Sequence, residues 1–511
     1  MRTPRVGAIW ILLGVFLVFI LAFGARYHRI EDVNSAEWDG YVAKADAIRR
    51  GTLPHDVWHP LLYPILAAGA GELVGDTFAG ARAVSSLFAV LFAWSAFLIG
   101  RRCFSPSVGV FAALATMLNP NVLFIGVHTA TDMMFAAWSA LTVVAALRAV
   151  DDARIRCVVI MGALFALAYF TRYTAIALLP ALVVPILFAG REHSRRQRAV
   201  RLLVFVATCL VVLVPHFVLT DRALGSPFAN ESWKNLAFKL YGGWDWSTLN
   251  APGFENATSV VGASPLAFIA SAARELAKFF YFTLLALGGH GIAGAFFAAG
   301  LVVGAYSTLW TLDRARLILW LYVAGCVVFA CVFFYTSPRL MLPILAVCYV
   351  WVGHALFGLV PDVRVGWGRL RFHRALPLAV VVLLATAVST LREIPMFIAS
   401  HPVAEVEAVV QLEKDYGSGI TVLGTTPYFG RHVHYQCLAL RLPPPRVGSD
   451  LASYVEYLRP LVHDADFVLL GRMTGRGVPQ ELLDGSGVPD YLEPVEITPS
   501  VALYRVRPET R

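Results

Sequence analysis

Four carboxylates stand within nine residues near the start of the chain, in Glu31-Asp32-Val33-Asn34-Ser35-Ala36-Glu37-Trp38-Asp39-Gly40-Tyr41. The stretch that follows, 39–50, has helical spacing, with Tyr41, Ala45 and Ile48 on one face and Gly51 as a stop. Asp39 stands where an N-cap belongs. An aspartate there either closes free helix amides or, held by those amides, is aimed into a cavity. Asp132 poses the same choice. It opens an apolar helix after Asn119-Pro120 and His128-Thr129-Ala130-Thr131. It is either a cap or an acid facing a shared cavity, as ionisable residues at membrane helix ends often are.

Cations suited to an anion are also present. Arg172 and Arg339 carry a planar, permanently charged fork that matches phosphate. His59, in Trp58-His59-Pro60-Leu61-Leu62-Tyr63-Pro64, falls in a short apolar stretch that reads as an interfacial helix started by proline. A partly cationic imidazole there meets a headgroup phosphate, or has no ligand at all. His290 is a weak candidate for a metal or diphosphate.

The elements that must position these groups are membrane helices. The chain has 511 residues, 58% hydrophobic and 15% charged, with a mean hydropathy of +0.65. Soluble domains carry roughly 25% charged residues. Apolar runs of bilayer-spanning length fall near 7–26, 80–100, 107–120, 132–148, 156–171, 173–189, 200–219, 288–310, 317–335, 340–360 and 375–391, about eleven in all. The charge of +8 lies between these runs, so it reads as topology rather than nucleic-acid binding. Arginine clusters at 101–102, 148–156, 191–201, 314–316 and 364–374 mark the cytoplasmic side. The first span then reads as an uncleaved anchor with its N-terminus inside. The loops 27–79 and 220–287 are outside, and so is the tail after 391. Arg172 and Arg339 fall on the outer side, which the positive-inside rule leaves poor in arginine. They suit an anionic lipid headgroup, or snorkel to ordinary lipid phosphate. Arg274, Glu275 and Lys278 make 265–287 a helix lying in the interface rather than a span.

The tail, 392–511, loses its lipid-like composition. Helices at 403–415 and 451–463 alternate with strands at 420–425, 466–471 and 501–506, the pattern of a small α/β domain. It has no Gly-rich phosphate loop. Seven cysteines without CxxC or zinc spacing read as buried thiols.

In this order and on these sides, the motifs resemble the membrane-embedded glycosyltransferases of the GT-C class. The likeness is to the bacterial branch near the protein O-mannosyltransferases and the lipid A aminoarabinose transferase. It covers about 7–390. It rests on the acidic first loop with Asp39-Gly40-Tyr41, Ala45, Ala47 and Gly51, and on His59-Pro60 with Tyr63-Pro64. Asn119-Pro120 with Thr131-Asp132, Gly162 with Leu167-Ala168 and Thr171-Arg172, and Arg339 with Leu342-Pro343 complete it. The expected fold is an all-α polytopic membrane module, 1–391, followed by an extracytoplasmic α/β domain, 392–511, in the cell membrane.

The resemblance implies inverting transfer of a sugar from a polyprenyl-phosphate donor at the outer face. Asp39 would be the general base, with Glu37 and Asp32 as alternative acids, because a hydroxyl is a poor nucleophile until a placed carboxylate takes its proton. Arg172, Arg339 and His59 would meet the lipid phosphate, and Asp132 would position the acceptor or a metal. Relatives often show a second proline where Leu61 stands, and some a carboxylate where Trp58 stands, which puts a divalent metal at that point in doubt. Trp244-Asp245-Trp246 is similar to the Trp-Trp-Asp motif of oligosaccharyltransferases, but its position suits interfacial anchoring. A transporter or lipid flippase is the main rival. It would place ionisable groups near the bilayer midplane, whereas here they gather at one surface. A non-catalytic assembly protein is a second rival. The sugar and the acceptor (protein, lipid A, arabinan or another glycan) are not legible.

Overall fold

Each of the eleven apolar runs is built mainly of helix where it is described. The computed structural model describes residues 6–27, 41–52, 60–152, 154–188, 194–228, 233–242, 254, 256–285, 292–333, 336–359, 364–367, 370–399, 403–424, 436–440, 450–471, 478–499 and 501–508. The chain is a polytopic membrane protein with a small C-terminal sheet domain. It divides into two compact units, one of Met1–Ala25 with Tyr41–Ile394, the other of Arg26–Gly40 with Pro395–Arg511.

The first unit begins with α1 (Val6–Tyr27), α2 (Tyr41–Arg49) and α3 (Leu62–Val74). Then come α4 (Thr77–Cys103), α5 (Pro106–Leu118), α6 (Pro120–Ile125), α7 (Thr131–Asp151) and α8 (Ile155–Thr171). A 3-10 turn, Tyr173–Leu178, leads into α9 (Leu179–Leu187), and α10 spans Arg195–Leu224. After α11 (Trp233–Ala237), a π turn (Phe238–Gly242) and α12 (Ala257–Ala263) come α13 (Pro265–Leu285), α14 (Ile292–Trp310), α15 (Arg314–Phe333) and α16 (Pro338–Phe357). A strand pair, β1 (Arg364–Trp367) with β2 (Leu370–His373), precedes α17 (Leu376–Ala399).

Among the described residues, seven helices are long and apolar enough to cross a bilayer. The runs expected at 107–120, 156–171, 173–189 and 288–310 form shorter apolar helices. The helix expected at 39–50 appears as α2 and ends on Gly51, whose φ of +76° is a left-handed stop that favours glycine. The helix expected around 58–64 begins at Leu62 and runs on to Val74. The segment read as interfacial, 265–287, is α13 as far as Leu285, and it meets the preceding α12 at a bend of 99° around Ser264. Glu275 within it is buried rather than surface-bound.

Small residues let the helices touch. A Cβ on Gly80 would fall 2.4 Å from the Gly71 nitrogen, and one on Gly100 would fall 2.8 Å from the Gly109 Cα. Backbones therefore meet where α3 crosses α4 and where α4 crosses α5, the usual way of packing helices in lipid. The buried hydroxyls of Thr116 and Thr142 are satisfied within their own helices, each donating to the carbonyl four residues back. Arg201, 2% exposed, donates to the Ala149 and Pro185 carbonyls, stitching α10 to the C-terminal ends of α7 and α9.

The second unit contains α18 (Val403–Tyr416), β3 (Thr421–Gly424), β4 (Gln436–Ala439), α19 (Leu451–Leu458), β5 (Phe467–Gly471), α20 (Gln480–Asp484), β6 (Leu492–Ile497) and β7 (Val501–Val506). The sheet order is β4-β3-β5-β7-β6, with β4, β3 and β5 parallel and β7 and β6 antiparallel. Central strand β5 is buried on both faces. Val468 and Leu470 face a core with Leu458 and Leu482, while Phe467 and Leu469 face another with Val409 and Leu412. That is the period-two alternation of a strand covered on both sides.

Candidate functional site

Asp132 is not the N-cap of its helix. Ala130 holds that position without a side-chain bond, and Asp132 is the second residue of α7. Its carboxylate is 2% exposed and faces two arginines instead. One oxygen accepts from Arg172 Nη1, the other from Arg339 Nε at 2.6 Å.

Local backbone delivers each arginine to this point. Arg172 closes α8 in an extended conformation (φ −151°, ψ 134°) before the 3-10 turn begins. Ser337 caps α16 by accepting the Leu340 N–H, and Pro338 starts the helix, so Arg339 sits in the first turn. Three helix ends thus meet at one end of the bundle: the start of α7, the end of α8 and the start of α16.

Among the described residues, one carboxylate here faces two guanidinium groups. Burying such charges is tolerable because each is paired and hydrogen-bonded. The Arg172 side chain is 12% exposed and that of Arg339 is 36% exposed, so Arg339 is the more open of the two to a ligand. The cluster lines a partly open groove whose other walls are largely apolar, with Phe135, Phe329 and Pro343 among them. A divalent cation does not suit Asp132, because both carboxylate oxygens are taken by cationic donors. Among the described residues, no group of three or more histidine, cysteine or acidic side chains could hold a metal.

The first loop reaches the same place through α2. The Tyr41 hydroxyl lies 3.1 Å from Thr131 Oγ1, next to Asp132 in the chain. Tyr41 packs edge-on against Tyr63 at 5.5 Å, and Tyr63 donates to the Ala81 carbonyl at 2.9 Å. Lys44, 6% exposed, stands 5.7 Å over the Tyr41 ring. Lys44 was not among the residues expected at the site; its place three residues after Tyr41 on a helix is the signal the sequence holds for it. Asn119 proves to be architectural: its side chain caps α6 and donates to the Tyr349 hydroxyl at 2.9 Å. Asp32, Glu37, Asp39, His59 and His290 lie outside the described residues.

Residues 58–218 match the family model of dolichyl-phosphate-mannose-protein mannosyltransferase, a stretch that contains Asp132 and Arg172. No curated protein matches by sequence. Among solved structures, ArnT from Cupriavidus metallidurans in the apo state superposes with a TM-score of 0.61. The match covers 98% of both chains at 15% identity. ArnT bound to undecaprenyl phosphate gives 0.60 at 15% identity, covering 100% of this chain and 99% of that one. The archaeal oligosaccharyltransferase AglB from Archaeoglobus fulgidus, in complex with an inhibitory peptide and a dolichol-phosphate, gives 0.54 at 13% identity, over 90% of this chain and 69% of that one. This chain has the GT-C glycosyltransferase fold. The polytopic helical module and C-terminal α/β domain expected from the sequence are both present in this fold.

Proposed function

We propose that this GT-C protein transfers a sugar from a polyprenyl-phosphate donor to an acceptor hydroxyl at the outer face of the cell membrane, with inversion at the anomeric carbon. The observation that carries the reading is the Asp132–Arg172–Arg339 cluster, two guanidinium groups converging on one carboxylate in a pocket whose other walls are largely apolar. A ligand with one anionic head and a long hydrocarbon tail matches that polarity. The match to a dolichyl-phosphate-mannose-dependent family and the fold shared with ArnT, solved with undecaprenyl phosphate, support the same ligand class.

In this scheme the acceptor oxygen attacks the anomeric carbon from the face opposite the phosphate. The bond between that carbon and the phosphate oxygen breaks, and the polyprenyl phosphate leaves with the electron pair. Asp39 takes the acceptor proton, and Glu37 and Asp32 are the alternative bases. The charge growing on the phosphate is met by Arg339, with Arg172 behind it and His59 as a further donor. Asp132 aims both guanidinium groups. The arginine distribution along the sequence supports an orientation with these groups outside, the N-terminus inside and the C-terminal domain outside.

Turnover on defined donors tests the reading. The purified chain, in liposomes containing polyprenyl-phosphate-linked mannose or aminoarabinose and a panel of hydroxyl acceptors, is expected to release free polyprenyl phosphate as product appears. Translocation of an intact lipid-linked sugar without release from any donor would replace the enzyme with a flippase.

A further inference from the structure

The α11–α13 segment has no part in the scheme above, yet it grips the two helix ends that border the groove, the end of α15 and the start of α16. Glu275, in α13, is 3% exposed. A carboxylate that deep is stable when its oxygens are engaged. One oxygen accepts the Thr336 N–H at 2.6 Å and the other accepts the Lys278 ammonium at 2.8 Å. The Thr336 hydroxyl donates back to the Glu275 carbonyl at 2.8 Å. Thr336 is followed directly by Ser337, the N-cap of α16, and stands three residues before Arg339.

On the other side of residues 334–335, the Lys239 ammonium donates to the Cys331 carbonyl at 2.6 Å and the Val332 carbonyl at 3.3 Å. These are late carbonyls of α15, where a cation meets the negative helix end. Burial lowers the Lys239 pKa to about 8, opposed by the nearby Glu275 carboxylate, so the ammonium persists at neutral pH. Helix α15 supplies Phe329 and Ala330 to the groove wall. One clamp therefore fixes the wall and the other fixes the turn that presents Arg339.

We propose that Glu275 is a positioning residue for the lipid phosphate: through Thr336 it sets the first turn of α16, and with it the place at which Arg339 meets the ligand. The proposal rests on the groove being a lipid-phosphate site. A guanidinium held in place binds an anion without first losing its own freedom, which is the gain from preorganisation.

Affinity of the full-length chain for undecaprenyl phosphate, in a thermodynamic cycle, tests it. Glu275→Ala is expected to weaken binding about five- to ten-fold, the worth of one ordinary hydrogen bond, because the lost contacts hold Thr336 and not the ligand itself. Glu275→Gln, which keeps an acceptor for the Thr336 N–H, is expected to recover most of that. In an Arg339→Ala background, Glu275→Ala is expected to add less than about two-fold, because residues acting as one unit are not additive. Thr336→Val removes a single limb of the clamp and is expected to weaken binding about two-fold, again not in the Arg339→Ala background. Unchanged affinity in Glu275→Ala, or losses that simply add to those of Arg339→Ala, would overturn the positioning role. Unchanged affinity in Arg339→Ala itself would instead overturn the lipid-phosphate reading beneath it.

Discussion

Asp132→Ala is expected to destabilise the protein in detergent by about 3–5 kcal/mol, the cost of removing one side of a buried ion pair. Both Arg172 and Arg339 lose their shared carboxylate, and Arg172, 12% exposed, has little water to turn to. The more telling result is in the lipid response. Undecaprenyl phosphate is expected to raise the melting temperature of Asp132→Ala more than that of the unsubstituted chain, because its phosphate replaces the missing anion between the two guanidinium groups. Thermal unfolding followed with and without the lipid, with undecaprenol as the uncharged control, checks this. Equal stabilisation of both proteins, or the same shift with undecaprenol, would mean that the cluster does not bind phosphate.

The second large effect concerns the base. Asp39→Asn is expected to slow transfer by about 10²–10⁴-fold, the usual range for removing a general base. Its affinity for undecaprenyl phosphate and its melting temperature are expected to stay near those of the parent, because the amide keeps the size of the carboxylate and its hydrogen-bonding oxygen. Glu37→Gln and Asp32→Asn serve as comparators, measured as single-turnover rates with donor saturating. A collapse in Glu37→Gln with Asp39→Asn active would move the base to Glu37. Normal rates in all three would remove the first-loop acids from the chemistry.

How far these assignments were legible differs from residue to residue. The apolar runs could be read because hydrocarbon demands continuous hydrophobic sequence, and each is built mainly of helix where it is described. Central strands β5 and β7 could be read for the same reason, since burial makes their sequences apolar. Edge strands β4 and β6 were missed. β6 (LEPVEI) carries Pro494 and two glutamates, and its register shifts between Pro494 and Glu496. An edge strand needs one apolar face at most, so its sequence resembles a loop. The β1–β2 pair was missed because its arginines looked like a topological signal alone.

At the site, sequence singled out Asp132, Arg172 and Arg339 as chemically unusual for their places in the chain. It could not pair them, because they lie 40 and 207 residues apart and only packing of α7, α8 and α16 brings them together. For the same reason it could not choose between cap and cavity for Asp132. Glu275 shows the converse. A charged cluster on an apolar helix reads alike whether it lies at a membrane surface or braces an interior turn, and three-dimensional contacts distinguish the two.

The central claim is that a lipid phosphate sits at the Arg172–Arg339 end of the groove. An experimental structure of the full chain with undecaprenyl phosphate tests it most directly. The predicted result is a phosphate about 3 Å from the Arg339 guanidinium, the distance of a charge-assisted hydrogen bond, with the prenyl chain running along Phe135 and Phe329. A phosphate bound elsewhere, with Asp132, Arg172 and Arg339 still paired among themselves, would contradict it.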